Sequence, residues 1–426
     1  MLDIKFIREN PEVVKKGLTA KGYPDNLVDE VLKSEEKRKE LQQKVDVLRT
    51  ERNKAAKSKD IEKGKKVKVE LQKLEPELAK DEKEFGKLML QIPNPPLVGV
   101  PVGDESKNEV IKKIGTPTNF PFEIKDHVEL GEMLDIIDIP RAAKVSGTRF
   151  GYLKNEAVQL EFALIQWAFD VLTKEDFSLI VPPVIIRKEI TDGLGYWQGK
   201  IDEKHTANEN FYLVYDPKEK PGENPDMYLI GTGEHVIAPM HKDEVFEERQ
   251  LPKRYVAFSP CFRREAGSYG KDTRGILRVH QFDKVEMVAF TKPEDGEKEL
   301  EKLLDLSEKL VKTLELPYQV VKLASEDLPF PTAETLDIET WIPSQGKYRE
   351  THSVSTTTDF QARRLNIRYK TKNETKFVHI LNATALAVGR TLIAILENNQ
   401  QKDGSVQVPK VLQKYLNFKV ISPKKV

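Results

Sequence analysis

Between Leu27 and Ile92 the apolar residues keep to one seam: Leu41, Val45, Leu48 and Ala55, then Val67, Leu71, Leu74, Leu78, Phe85, Leu88 and Ile92. The steps alternate three and four against a background dense in Lys and Glu, which is the a/d spacing of helix packed against helix. Arg52 interrupts the first run and Asp81 the second. The two runs, each of about 28 residues, flank Lys57-Ser58-Lys59-Asp60 and Gly64. They are expected to fold back as an antiparallel hairpin about 40 Å long at about 1.5 Å per residue. Such an arm holds little core of its own and is expected to project. Pro76 falls inside the second run and removes a helical hydrogen bond, so a kink or local break is expected there. From Glu51 to Lys68 there are eight basic residues, among them Arg52, Lys54, Lys57, Lys63, Lys65 and Lys66, against three acidic ones, a net +5. Most Lys/Glu runs are solvated helix faces. A basic tip on a projecting arm also suits a phosphate backbone.

At 426 residues the chain exceeds what one hydrophobic core usually serves, and two domains are expected. Lys+Arg and Asp+Glu balance at 69 each, so any surface for nucleic acid must be local. The opening Met1-Leu2-Asp3-Ile4-Lys5-Phe6-Ile7-Arg8 is too charged for a signal-peptide core, and no run of about 18 apolar residues occurs. A cytoplasmic protein with no membrane partner is expected. Cys261 is the single cysteine, which excludes an internal disulfide and a Cys-rich zinc site. The seven histidines lack ligand spacing, so no zinc is expected at all.

Pro93, Pro95, Pro96, Pro101 and Pro117 mark a linker, and the boundary is drawn at 105, giving an arm domain of 1–105 and a second domain of 106–426. In the second, Asn155 to Leu172 has helical spacing (Leu160, Ala163, Leu164, Trp167, Val171), and Phe177 to Ile186 reads as a buried strand holding Pro182-Pro183. Phe211 to Tyr215 and Met227 to Gly231 alternate as strands around a polar Pro/Gly/Lys turn. Leu336 to Ile342 and the strand leading to Tyr348-Arg349-Glu350 continue a mainly antiparallel sheet. Asn382 to Gln400 reads as a last helix. The class is α+β.

The chemistry concentrates in Pro260-Cys261-Phe262-Arg263-Arg264-Glu265-Ala266-Gly267-Ser268-Tyr269-Gly270, running on through Lys271, Asp272, Thr273, Arg274 and Gly275 to Arg278-Val279-His280-Gln281-Phe282-Asp283-Lys284-Val285-Glu286. It reads as two strands joined by a basic, glycine-containing loop. Period-2 geometry puts Arg263 with Glu265 on one face of the first strand, and Phe282 with Glu286 on one face of the second. An arginine, two carboxylates and an aromatic on one floor can grip a phosphate, hold an ammonium and stack a purine. The plainer reading, a hairpin stabilised by cross-strand Arg–Glu pairs, stays open on the charges alone.

The length of this block and its spacing resemble motif 2 of the class II aminoacyl-tRNA synthetases, in the form found in the seryl-tRNA synthetase family. The resemblance extends over the whole chain, including Asp359-Phe360-Gln361-Ala362-Arg363-Arg364. It implies an antiparallel-sheet catalytic domain with an N-terminal antiparallel coiled-coil arm. The activity implied is formation of seryl-adenylate from L-serine and Mg·ATP, then transfer of serine to the 3′ end of tRNA(Ser). Charging of tRNA(Sec) stays open. The helix at Asn155 and the Pro-bearing strand after it would make motif 1 and a homodimer interface, although a core helix with an edge strand reads equally well.

The same resemblance distributes the roles. Arg263 would bridge the serine carboxylate and the α-phosphate, because a planar guanidinium engages both and relieves their repulsion. Glu265 would accept from the adenine amino group and Phe282 would stack on the ring, with Arg264, Val279, His280 and Gln281 completing the ATP contacts. Gly389-Arg390-Thr391 resembles motif 3, and Arg390 would lie across the adenine and reach the γ-phosphate. Glu350-Thr351-His352-Ser353 resembles the segment at which Glu350 and Ser353 hold Mg²⁺ against the phosphates. Thr351-His352 stands where bacterial members usually carry Ile-Ser. Thr232, Glu234, Glu286 and Thr384, with Arg263, would form the serine pocket, two carboxylates and two hydroxyls suited to an ammonium and a hydroxyl. Gly233 departs from the usual Ala or Ser and would loosen that loop. Arg52, Lys54, Lys57, Lys63, Lys65 and Lys66 would meet tRNA. Neither reaction step shows a general base, so positioning and charge stabilisation are expected to carry catalysis. Two rivals are a ligase that loads a carrier protein, which in the resemblance lacks the arm, and a non-catalytic RNA-binding paralogue. The latter would have lost some of Arg263, Glu265, Glu350 and Arg390.

Overall fold

The computed structural model of the chain describes residues 1–197, 210–214, 227–266, 272 and 274–424. Tyr215, the Pro/Gly/Lys turn after it, Gly267 to Lys271 and Thr273 lie outside the described residues. The chain divides into two compact units, Met1–Pro95 and Pro96–Val426. The Pro-rich segment thus closes the first unit at Pro95 rather than at 105. In the second unit, Leu97 N–H donates to Ala333 O at 2.9 Å and Ser325 N–H donates to Pro101 O at 2.8 Å.

The first unit consists of α1 (Ile4–Glu9), α2 (Pro11–Ala20), α3 (Asn26–Ser58) and α4 (Ile61–Gln91). The 33 residues of α3 make a rod about 50 Å long. It ends because Lys59 takes the left-handed conformation at φ 56°, and α4 starts because the Asp60 side chain accepts from Lys63 N–H at 3.0 Å. The heptads come together as expected: Leu41, Val45, Val67, Leu71 and Leu78 make one buried cluster. The base has more core than the spacing suggests, since Ile7, Val14, Leu18, Val28, Val31, Met89 and Ile92 make a second cluster with α1 and α2. Asp81, the interruption in the seam, is buried against Lys37 at 2.9 Å. Glu35 is buried likewise, between Arg8 at 3.0 Å and Lys39 at 2.8 Å. A one-turn slip of α4 along α3 would leave Asp81 buried without its cation, so the Lys37–Asp81 pair fixes the register of the hairpin, whereas Glu35 ties α1 to α3. The break expected at Pro76 is absent, because α4 runs through it. Pro76 and Gln72 are both exposed, so water can satisfy the Gln72 carbonyl that the missing N–H leaves free.

The second unit is built on eight strands: β1 (Glu109–Ile114), β2 (Ser178–Ile180), β3 (Lys253–Phe262), β4 (Gln281–Thr291), β5 (Tyr318–Lys322), β6 (Glu334–Ile342), β7 (Lys347–Thr356) and β8 (His379–Ala387). Their order is β1-β5-β6-β7-β8-β4-β3-β2. All pair antiparallel except β2, which lies parallel to β3. Three helices, α5 (Glu156–Leu172), α6 (Gly296–Thr313) and α8 (Val388–Asn398), cover one face; α7 is Phe360–Leu365. Leu160, Leu164 and Trp167 of α5, Leu303 and Leu310 of α6, and Leu392 and Ile395 of α8 share a core with Val256, Met287 and Ala383 of the sheet. Alternate residues such as Ala257, Val288 and Ile380 serve a different cluster on the opposite face.

Two expectations fail for stated reasons. Phe177 to Ile186 is not one buried strand: β2 stops at Ile180, and Ile185–Arg187 pairs in another sheet with Met227–Leu229. Pro182-Pro183 supply no N–H to a ladder, so pairing ends there. β2 is an edge strand, with Leu179 49% and the following Val181 83% exposed; Phe162 on α5 is 61% exposed. Asn382 to Ala387 is strand, not helix, because β8 is central and buried on both faces, where a continuous apolar run looks the same in either structure.

Candidate active site

The floor of the site follows from register. On β4, Phe282 stands opposite Cys261, Lys284 opposite Ser259 and Glu286 opposite Ala257, so the three β4 side chains share one face. On the other side β8 brings Thr384 directly opposite Glu286, after a register shift between Val285 and Glu286. Asn382 lies two residues along the same face. Thr232, and Glu234 at the start of the short helix Glu234–Ile237, complete this pocket, and Thr232, Glu234, Glu286 and Thr384 are all buried. Gly233 is at φ −59°, and a Cβ there would meet Glu286 Cβ at 3.4 Å, an ordinary contact, so alanine would fit in its place.

Glu234 receives Gln361 Nε2 at 2.9 Å and the Tyr196 hydroxyl at 3.0 Å. Burial pushes its carboxyl up to about 7; the Gln361 and Tyr196 donors and Lys284 oppose the rise and the Glu286 charge adds to it. His235 accepts from Gly231 N–H at 3.1 Å, and burial with the charges of Arg263 and Lys284 holds its imidazole well below the usual range. It is a neutral structural group.

Arg263 and Glu265 do not share a strand face. β3 ends at Phe262, and Glu265 turns into the left-handed region at φ 53°. What sets Arg263 is a clamp: its N–H donates to His280 O at 2.9 Å, His280 Nδ1 donates back to Arg263 O at 3.0 Å, and Arg263 Nε donates to Gly231 O at 3.1 Å. Its guanidinium lies 5.3 Å from the centre of the Phe282 ring. Glu265 pairs with Arg278 at 2.5 Å. Arg264 and Gln281 are exposed, and Val279 packs against the sheet core.

A β-bulge explains the Glu-x-x-Ser spacing. β7 pairs with β6 as Glu350 opposite Glu339, His352 opposite Ile338 and Ser353 opposite Asp337, leaving Thr351 as the extra residue. Without the bulge Glu350 and Ser353, three apart, would point to opposite faces; with it they share one. Arg390, in the first turn of α8, donates through Nη1 to Glu350 Oε2 at 2.9 Å and to Glu350 O at 2.9 Å, and through Nε to Leu277 O at 3.3 Å. Glu350 is 48% exposed at the mouth of the site; the desolvation of its crowded surroundings would push the carboxyl up, but the charge and hydrogen bond of Arg390, with Arg263 and Lys284, hold it below the usual range. Burial and the Glu350 charge push Asp337 well above that range. Thr351 and His352 are buried: Thr351 Oγ1 meets Thr340 Oγ1 at 2.7 Å and His352 Nδ1 at 2.9 Å. They brace the bulge from inside. Arg52, Lys54, Lys57, Lys63, Lys65 and Lys66 are exposed around the tip of the first unit.

Five neighbours of the site were not singled out from sequence. Lys284 was within reach of the period-2 argument that found Phe282 and Glu286. Arg278, in the loop before β4, and Asp337, on β6, carry charge without any local signal. Gln361 and Tyr196 had none, since only the tertiary fold brings them to Glu234.

Comparison with known proteins gives consistent matches. Residues 1–96 match the Seryl-tRNA synthetase N-terminal domain, and residues 215–399 the tRNA synthetase class II core domain (G, H, P, S and T). The serine–tRNA ligase of Thermodesulfovibrio yellowstonii is 42% identical, with 99% of this chain and 100% of that protein covered. That of Dictyoglomus thermophilum is 43% identical with both chains covered completely. Among solved structures, seryl-tRNA synthetase from Pyrococcus horikoshii complexed with ATP superposes over 100% of both chains with a TM-score of 0.90 at 39% identity. The cytoplasmic serine–tRNA ligase of Naegleria fowleri in complex with AMP gives 0.88 at 32% identity, covering 100% of this chain and 99% of that one.

Proposed function

Because the chain belongs to the seryl-tRNA synthetase family, we propose a division of labour among its residues for activating serine and loading it on tRNA. The protein is an ATP-dependent serine–tRNA ligase. A serine carboxylate oxygen attacks the α-phosphorus of ATP, and pyrophosphate leaves with the electron pair. A hydroxyl of the 3′-terminal adenosine then attacks the carbonyl carbon, and AMP leaves.

The observation that carries the assignment of the pocket is the direct opposition of Glu286 and Thr384 beside Glu234. Serine brings an ammonium to the two buried carboxylates and a hydroxyl to the buried Thr384, and an amino acid without that hydroxyl would leave buried hydrogen-bonding capacity unmet. Arg263 grips the substrate carboxylate and the α-phosphate together, held by His280 and Gly231 so that little ordering remains for the transition state. Phe282 offers its ring face to the adenine, and Glu265 accepts from its amino group. Arg390 exchanges its grip on Glu350 for phosphate.

Glu350 and Ser353 suit Mg²⁺: both are hard oxygen donors on one face, and Asp337 on the paired strand has a buried carboxylate oxygen, Oδ1, with no hydrogen-bond partner. An ion held by these residues would complete its shell with phosphate oxygens and water. Bound there, Mg²⁺ would draw charge from the phosphates. The exposed basic residues of the first unit would take the phosphate backbone of tRNA. The apolar residues Phe162 on α5, Leu179 on the edge strand β2 and Val181 after it are exposed and would be covered in a homodimer. No described helix is long and apolar enough to cross a membrane, and a cytoplasmic location fits the substrates. The test is pyrophosphate exchange with each amino acid in turn, followed by charging of tRNA(Ser) and tRNA(Sec). Exchange that does not select serine would overturn the assignment of the pocket.

A further inference from the structure

The amino-acid pocket contains a cation that the division of labour above does not use. Lys284 is buried, on the same face of β4 as Glu286, and its Nζ lies 2.6 Å from Glu286 Oε2. Its charge is felt by Glu234, His235 and Glu350. Burying a lysine is costly without a purpose for its charge.

We propose that Lys284 is a positioning residue of the serine pocket, holding Glu286 by the 2.6 Å ion pair so that both buried carboxylates can meet the substrate as anions. The argument rests on the pocket assignment above and on a charge count. Glu234 and Glu286 bring two negative charges to a buried site, Lys284 brings one positive charge, and the serine ammonium brings the second. The loaded pocket is then neutral. Without Lys284, the same pocket holds two carboxylates for one ammonium, and one carboxyl must keep a proton. A protonated carboxyl donates where the ammonium also donates, so either the grip on the amine or the reading of the hydroxyl is lost. The groups facing Glu234 agree with this count: Glu286 and Lys284 from β4, Gln361 from α7, the Tyr196 hydroxyl and the neutral His235 beside it. Lysine and Glu286 are two residues apart on one strand, so their pairing needs no motion of the backbone.

The test compares the wild type, Lys284→Met, Glu286→Gln and the double variant, by pyrophosphate exchange with serine and with alanine at pH 6.5 to 8.5. Lys284→Met is expected to raise the serine KM about 10- to 100-fold at neutral pH, with kcat at saturating serine within about threefold and the ATP KM unchanged. The loss should shrink as pH rises, because alkali strips the proton that the lysine otherwise keeps off. A merely structural role would give a loss independent of pH. Because Lys284 acts through Glu286, the double variant should be no worse than Glu286→Gln alone. That comparison decides the matter even if Lys284→Met does not fold, since removing both charges leaves no orphaned ion. Additive losses, or a fall in kcat with the serine KM untouched, would overturn the proposal. Serine selectivity of the wild type is the separate control on the pocket assignment itself.

Discussion

Arg263 combines a rigid backbone clamp with a side chain that must face two anions. Arg263→Ala should therefore lower the rate of adenylate formation by more than about a hundredfold, a loss of at least about 3 kcal/mol in the transition state. Pyrophosphate exchange in the folded variant measures it; a near-normal rate would refute the role. Thr384→Val removes only a hydroxyl beside Glu286, so serine binding should weaken while alanine is scarcely affected. The ratio of kcat/KM for the two amino acids should fall at least tenfold, on the scale of one lost buried hydrogen bond. Glu234 supplies a pH dependence. Its carboxyl is pushed up to about 7, so below that pH the empty pocket carries a proton that serine must displace. The serine KM should fall as pH rises from 6 and level off above about 7, whereas the ATP KM should not follow it. An identical profile for both substrates would exclude Glu234 as the group titrating.

Two local devices position these groups. The bulge at Thr351 turns a three-residue spacing into a shared face for Glu350 and Ser353, and the Thr340–Thr351 hydrogen bond pins it. The other anchors the C-terminal end of the loop between β3 and β4. His127 Nε2 accepts from Ile276 N–H at 3.3 Å, while its Nδ1 donates to buried Glu397 at 3.1 Å. Gly275 makes the approach possible: it sits at φ +80°, and a Cβ there would lie 1.9 Å from His127 Nε2. Gly275→Ala should cost about 3 kcal/mol of stability, from overpacking and left-handed strain together. A chemical denaturation midpoint equal to wild type would show that the ring yields instead.

Every residue assigned to chemistry lies in Pro96–Val426, and every residue assigned to the tRNA arm lies in Met1–Pro95. The two functions should separate. Cutting at 30 and 90 would remove Val31 and Met89 from the base cluster, but cutting just beyond the Lys37–Asp81 pair spares it. Removing residues 40–78 and closing with a short turn should leave serine-dependent pyrophosphate exchange within about threefold, since no pocket contact is lost, and reduce tRNA charging more than about a hundredfold, since several phosphate contacts go together. Charge reversal at Lys57, Lys63 and Lys66 should weaken tRNA binding with a smaller salt slope and leave exchange intact. Equal charging by the full and shortened proteins would reduce the arm to a structural element.

Local order in the chain determined the helical hairpin, whose partners are close in sequence and repeat every seven residues, and the β3–β4 hairpin, whose alternation put Phe282 and Glu286 on one face. Residue types and spacing also marked Arg263, and the family resemblance marked Glu350 and Arg390. The rest depended on pairings between distant segments. Strand period leaves the choice of neighbour and register open, and a shift of one residue reverses every face. Nothing local could say that β3 stops before Arg263, that Thr351 is the bulge, that β8 is strand up to Ala387, or that Thr384 meets Glu286. Gln361 reaches Glu234 only because α7 folds back onto the pocket. The sequence by itself determined which chemical groups were present and which local elements carried them; the sheet's long-range register decided which of them touch, because burial in a central sheet, rather than local propensity, selects that register.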